Sequence, residues 1–485
     1  MQGNRSRGRG TVSSGILTGI STVAVSGTAA VAGVILSRKF GHGVKTDGFF
    51  FAYSVYAVLV LVAGVVRVVA LPRFVEARAA RRLAAETGVW AAALAGPLLA
   101  AVVAAILWPH GIASVLSSRP ASAHYAAVLL PWVVASAAAQ VLGGVVASAL
   151  AAFDDYASSA FGFAAGSIAG LVVTVALVDH GLIAFAWGLA VNGVVSLLWP
   201  LAALARRGGV GLPDQRPWAR LAALAEGVTL PVALQGLYLV GDRFASGLET
   251  GGATTFSFAY LIASFFVQLT ATSLALVTTV PFAREGESPE RSGRHVIAAS
   301  WISLVPIAAA SGVFAVAGAF VTQHVLGPKY GGGTGAELSR LVAYLAPWTV
   351  ASVALTIAYP LLFVRGRARW LPLVAGAALA VHVLLEWGLS AWFGLAGIAA
   401  GMAVTTALVL AALLVWLRAV QMTTRGVLTA AVICGGIAAV TFGVPGALLG
   451  AVAAAVVGVV LYALVLGLWR PSGLRQAWAY VHGLQ

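Results

Sequence analysis

Apolar runs of about twenty residues recur from one end of this chain to the other, separated by short arginine-bearing loops, and no other feature restricts the fold as strongly. A bilayer core is about 30 Å thick and a helix rises about 1.5 Å per residue, so a run of this length can cross it. Fourteen runs can be marked, the first seven near 13–36, 49–71, 88–108, 124–152, 157–178, 182–204 and 221–247. The other seven lie near 254–282, 296–321, 338–364, 370–391, 395–417, 426–443 and 446–469. In lipid every backbone N–H and C=O must be satisfied within the protein, which makes each run a helix. Composition agrees: 60% of the chain is hydrophobic and 9% charged, where a soluble domain carries about 25% charged residues. The expected fold class is an all-α polytopic membrane protein of about 14 transmembrane helices.

The loops orient the spans. With the N-terminus inside, cytoplasmic segments hold Arg5, Arg7, Arg9, Arg73, Arg78, Arg81, Arg82, Arg206, Arg207, Arg216 and Arg220 in the first half. In the second half they hold Arg284, Arg291, Arg294, Arg365, Arg367, Arg369, Arg418, Arg425, Arg470 and Arg475. The opposite side holds fewer: Arg38, Lys39, Lys45, Arg119, Arg243, Lys329 and Arg340. This bias places both termini in the cytoplasm, and it accounts for the net charge of +14 without a nucleic-acid partner. The first run is longer than a signal-peptide core and reads as an uncleaved helix. The one cysteine, Cys434, lies within an apolar run, so no disulfide framework or metal cluster is expected, and no cofactor.

The chain also echoes itself. Phe51-Ala52-Tyr53 opens the second span and Phe258-Ala259-Tyr260 opens the eighth, each followed by a proline at the far end, Pro72 and Pro281. The stretch GLIAFAWGLAV, from Gly181 to Val191, aligns with GLAGIAAGMAV, from Gly394 to Val404, at the turns into spans six and twelve. The expected organisation is a basic N-terminus (1–12), a lobe of spans 1–6 (13–207), a second six-helix lobe (218–420), two further helices (425–470) and a cytoplasmic C-terminus (471–485). Six is even, so the lobes insert in the same sense, as pseudo-symmetric parallel repeats able to rock about a central cavity.

The segment LPVALQGLYLVGDRFASGLETGG, followed by FSFAY, resembles the Wzx-like polysaccharide flippases of the multidrug/oligosaccharidyl-lipid/polysaccharide (MOP) superfamily: Leu-Pro early, Asp-Arg near the outer end, a glycine turn, then Ala-Tyr opening the next span. HVLLEWGLSAWFGLAGIAAGMAV is similar to the family's hairpin of spans 11 and 12, with Gly394 and Gly397 at its glycine positions. TDGFFFA, from Thr46, resembles the start of span 2 in the MurJ/MviN lipid II branch. Where that branch carries arginines, this chain reads GILTGISTVAVSG, YSVYAVLVLVAG and AYLIASFF, with no cation. The resemblance implies a MOP transporter fold, with spans 13 and 14 flanking a groove for a lipid tail.

A charge at the membrane centre costs about 2.5–3.5 kcal/mol on insertion scales, so the few polar groups within spans are the candidate site residues. His382 and Glu386 lie four apart on one face of span 11 and are candidates for coupling to a proton or cation, or for a neutral hydrogen-bonded pair. Arg67 could meet a substrate phosphate or snorkel to headgroups. Gln140, Asn192, Gln235 and Gln268 could bond sugar hydroxyls or neighbouring helices. Asp242 and Arg243, near the outer end of span 7, need not be buried deeply and can satisfy each other; they are a candidate outer gate or a helix-end anchor. Tyr53 and Tyr260 fall where an aromatic belt is expected. No Ser-His-Asp set, HExxH or pair of catalytic carboxylates appears, so enzyme chemistry is not expected and no catalytic or metal residue is assigned. The reading is a flippase in a bacterial-type plasma membrane for polyprenyl-diphosphate-linked glycans, whose partners are that substrate, membrane lipids and, as candidates, envelope glycosyltransferases. The alternatives are a cation-coupled drug exporter, or a non-transporting partner in envelope assembly.

Overall fold

The computed structural model describes residues 21, 24–268, 270, 289–364 and 368–482. Arg5, Arg7 and Arg9, the start of the first span, the inner part of the eighth with Pro281 and Arg284, and Arg365 and Arg367 lie outside the described residues. Residues 24–40 form α1. There follow α2 (Val44–Ala79), α3 (Leu83–Leu107), α4 (Pro109–Leu116), α5 (Pro120–Ala152), α6 (Tyr156–Ala176), α7 (Ile183–Arg206), α8 (Trp218–Leu248) and α9 (Gly252–Val267). Then come α10 (Pro289–Leu326), α11 (Gly333–Tyr344), α12 (Ala346–Val364), α13 (Leu371–Trp416), α14 (Val420–Leu448), α15 (Ala451–Trp469) and α16 (Ser472–His482).

Among the described residues there is no strand, and 10 helices are long and apolar enough to cross a membrane; α11 and α12, bent by 42°, make one more as a pair. The 46-residue α13 holds two of the expected spans, because Gly394 breaks it with φ 57°. Helices α1 and α9 are the described parts of the first and eighth spans. Several helices outrun their apolar stretches, α2 continuing to Ala79, since a helix need not end at the lipid boundary. Prolines inside α2, α3, α5, α7, α8, α10, α12 and α14 are compatible with this, as neighbouring helices can satisfy the carbonyls they free.

The chain divides into two compact units, one of residues 1–40 and 44–239, the other of residues 41–43 and 240–485. In the first unit α5 is the central helix, packed against α2, α3 and α7 and buried along almost all of its second half. Its sequence there, QVLGGVVASALAA, offers small side chains on every face, which lets neighbours approach on all sides. Val66, Phe74, Trp90, Val141, Leu150 and Leu204 form the core beside it, joined by Leu224 and Val228 from the first turns of α8. Helices α6 and α7 pack on each other through glycine: a Cβ on Gly170 would stand 2.5 Å from the carbonyl oxygen of Gly188.

In the second unit α11 and α12 take the part that α5 takes in the first, packing against α9, α10 and α13. The fourth span meets the second, third and sixth; the tenth meets the eighth, the ninth and α13, which holds the eleventh and twelfth. The two additional helices, α14 and α15, pack on α10, where Phe442 and Tyr462 are buried and the Tyr462 hydroxyl donates to the Val305 carbonyl at 3.1 Å. The C-terminal tail contains a helix, α16, which also packs on α10 with Ala477 in the core beside Trp301.

The FAY echo is a packing motif. Phe51, Ala52, Phe258 and Ala259 are all buried. Tyr260 is not on an outer belt: it is buried, with its ring 5.1 Å from that of Trp348. Tyr53 is half-buried, stacked on Phe49 at 5.9 Å.

Candidate functional site

Glycine at 394 lets the chain reverse between the two arms of α13, residues 371–393 and 395–416, because its positive φ is open to a residue without a Cβ. Two contacts fix how the arms meet. His382 Nδ1 lies 3.2 Å from Thr405 Oγ1, and a Cβ on Gly401 would stand 2.7 Å from Glu386 Oε1. Moving four residues toward the turn on one arm moves four toward it on the other, so the arms run antiparallel in fixed register. Gly401 is small because the Glu386 carboxylate fills the space a side chain would need.

The expected pair is therefore real and wholly enclosed. His382 and Glu386 are both 0% exposed, with Nε2 3.4 Å from Oε1. Neither Glu386 oxygen accepts a hydrogen bond. A buried carboxyl group without such bonds costs stability, and among the described residues the His382 imidazole is the chargeable neighbour recorded within ion-pair distance. An i, i+4 spacing on one helix holds the two in reach, while Thr405 orients the ring from the facing arm. This arrangement can accept, hold and release a proton between an imidazole and a carboxylate.

The structure does not gather the other expected residues into this site. Gln140, on α5, is buried and donates to the Tyr56 hydroxyl on α2 at 2.7 Å. Asn192 accepts from Ser196 one turn along α7 at 3.0 Å, and its side chain reaches the face of α6 at Gly166. Both are joined to neighbouring helices, which is the packing use of such amides. Arg67 is exposed on α2, Gln235 is half-buried on α8, and Gln268 is exposed at the C-terminal cap of α9.

Asp242 departs from expectation. It is 0% exposed rather than shallow, and its Oδ1 accepts from Ser257 Oγ at 2.8 Å, while Arg243 beside it is exposed. The cause is the polar face of α9, where Ser257 is fully buried and supplies its hydroxyl to the acid on α8, beside the equally buried Thr254 and Thr255.

A second polar cluster was not expected from sequence. Arg220, at the start of α8, donates from Nε and Nη2 to the two carboxylate oxygens of Glu86 on α3, both at 2.9 Å, and Trp90 Nε1 donates to the same carboxylate at 2.9 Å. Arg82 pairs with Asp214 beside it, holding the Asp214 carboxyl below the usual carboxylate range through that hydrogen bond. Nearby, Asp155 caps α6 by accepting from Ser158 N at 3.0 Å and pairs with Arg207 at 2.6 Å, and Arg78 pairs with Asp154 at 3.3 Å. These partners lie far apart in sequence, so only an acidic residue at the mouth of an apolar run, as Glu86 is, gave a signal.

No protein-family model and no curated protein matches the sequence. Solved structures do. The chain superposes on a lipid II flippase, MurJ, in an inward closed conformation, with TM-score 0.76 and 14% identity over 94% of this chain and 98% of that one. It superposes on an inward-facing multidrug resistance MATE family transporter of the MOP superfamily with TM-score 0.62 and 13% identity, over 81% of this chain and 93% of that one. The Vibrio cholerae MATE transporter VcmN in its bent form gives TM-score 0.53 and 14% identity, over 87% and 99%. The chain has the fold of MOP-superfamily membrane transporters, as the resemblance of its short motifs implies.

Proposed function

We propose that this protein is a flippase that carries a polyprenyl-diphosphate-linked glycan precursor from the inner to the outer leaflet of a bacterial-type plasma membrane by alternating access, with both termini in the cytoplasm. The observation that carries the reading is the extent of the likeness: the lipid II flippase superposes more closely, and on more of this chain, than either MATE transporter. The headgroup would pass the polar side chains of the spans, with Arg67, Gln235 and Gln268 the ones that packing leaves at least partly exposed, and with Arg243 toward the outer gate. An inside-negative potential favours outward movement of an anion by about 2.3 kcal/mol per charge per 100 mV.

The His382–Glu386 pair supports ion coupling in addition to the potential. A proton on the pair, taken up in one state and released in the other, would bias the lobes between them. Glycosyltransferases that build the lipid-linked glycan fit this reading as partners. The test is depletion of the protein followed by a sidedness assay of labelled lipid-linked sugars. Outer-leaflet label should fall while inner-leaflet label accumulates; an unchanged outer-leaflet signal rejects the flippase. In the same assay Glu386→Gln should slow transport at least tenfold, and full transport by that variant removes the coupling role.

A further inference from the structure

Among the described residues, the first unit pairs Arg78, Arg82, Arg207 and Arg220 with acids, whereas three arginines gathered around one hollow of the second unit have no acid beside them. In the first unit a cavity of about 210 Å³ is lined by Arg73, Arg82 and Arg220, but also by Glu76, Glu86 and Asp214. In the second unit a cavity of about 600 Å³ opens between α10, α14 and the junction of α15 with α16, and Arg425, Arg470 and Arg475 line it without any carboxylate. Among the described residues none of these three arginines is in an ion pair. Three exposed guanidinium groups around one hollow repel one another unless an anion sits among them.

The rest of the lining says what kind of anion. Trp301, Ile297 and Ile433 give the cavity an apolar wall, and Trp469, of the type that marks membrane interfaces, also lines it. A volume of about 600 Å³ exceeds what a free phosphate fills and lies in the range of sites for larger ligands. The first residues of α16, Pro471, Ser472 and Gly473, also line it, so the amides at a helix N-terminus add to the arginines. Gly473 is where α16 crosses the Trp301 ring, which a Cβ would meet at 2.4 Å. Leu474 and Ala477 pack into the core, so α16 is a fixed wall of the cavity. The charge bias of the loops puts this end of α14 and α15 at the cytoplasmic leaflet.

We propose that this cavity binds the phosphate-bearing headgroup of a lipid in the cytoplasmic leaflet, with Arg425, Arg470 and Arg475 as the phosphate ligands and Trp301 beneath the start of the acyl or prenyl chain. Guanidinium forks suit phosphate oxygens, and each cation near an anionic leaflet adds to the attraction. The site stands whether or not the protein moves lipid.

The experiment measures thermal stabilisation of the full chain by vesicles of phosphatidylcholine alone, with added phosphatidylglycerol, or with added polyprenyl diphosphate, and by inorganic phosphate in detergent. The wild type should be stabilised by one or both phosphate lipids, and R425Q/R470Q/R475Q should need roughly tenfold or more lipid for the same shift. R425Q alone, at an exposed helix position, should show a smaller loss, and R425K should keep the response. Stabilisation by phosphatidylglycerol identifies bulk anionic lipid as the occupant, and a response confined to the polyprenyl diphosphate identifies the prenyl carrier. The proposal is overturned if the triple variant responds within twofold of the wild type to both lipids, if the exposed R216Q loses as much, or if inorganic phosphate alone reproduces the full shift.

Discussion

Helices α6 and α7 form one antiparallel pair, and the two arms of α13 form its counterpart in the other unit. The sequence echo that equates Gly181 with Gly394 also equates Ala169 with His382, Val173 with Glu386 and Gly188 with Gly401. Both turns use a glycine with positive φ. In the first pair the crossing is closed by a backbone carbonyl and a hydroxyl: Gly188 meets Gly170 and Thr174. In the second the same small position meets a buried carboxylate. The fold thus needs a small residue at the crossing and nothing more. The acid and the imidazole are additions that packing alone does not require, and the carboxylate oxygens accept no hydrogen bond. A group that is costly to bury and unnecessary to the architecture is the strongest functional candidate in the chain.

The comparison can be broken most directly at its first member. Gly170→Leu places a side chain where the Gly188 carbonyl already stands, and overpacking of this kind costs about 1–3 kcal/mol or more. It should remove most folded protein from a size-exclusion profile, whereas a wild-type profile would mean that α6 and α7 are not held by close approach. The second member should respond in the opposite sense. Replacing both partners in His382→Leu/Glu386→Leu should leave stability unchanged or raise it, by up to about 1–4 kcal/mol, while transport is lost. A fall in unfolding temperature would instead make the pair structural.

Smaller effects sharpen the contrast at the ends of the pairs. Asp155 caps α6 and holds Arg207 at the end of α7, so Asp155→Ala should destabilise the first unit by about 1 kcal/mol in thermal unfolding. The smallest effect belongs to Asp179, in the turn between α6 and α7. Its hydrogen bond from Lys39, 2.6 Å away, holds the carboxyl below its usual value. A depressed value means that the contact contributes above about pH 4, the unfolded carboxylate value, and is lost as pH falls through the lower folded one. Asp179→Asn should therefore leave stability almost unchanged at pH 7, with any difference from the wild type vanishing in acid, because an exposed pair is worth little.

What could be read from sequence follows from which forces act locally. Spans were legible because a bilayer demands a continuous apolar run, and the α13 turn because Gly394 interrupts one. The FAY echo was visible in the sequence, but its burial was not, because an aromatic-rich span start reads equally as a lipid-facing belt. Asp242 was misplaced because position along a helix does not say which face meets a hydroxyl-rich neighbour. The Glu86–Arg220 clamp joins residues 134 positions apart, and nothing local announces it. Helix α16 was missed because SGLRQAWAYVH is too short and too polar to register as a span, although Leu474, Ala477 and Tyr480 recur at helical spacing.

The Gly394 turn also bears on how the protein is made. An arm carrying Glu386 and His382 that entered the bilayer by itself would expose both to lipid, at about 2.5–3.5 kcal/mol for the acid when charged. Its partner arm, with Gly401 and Thr405 in register, covers them as soon as the two lie together. Pairing of the two arms within the bilayer therefore spares Glu386 and His382 that contact with lipid.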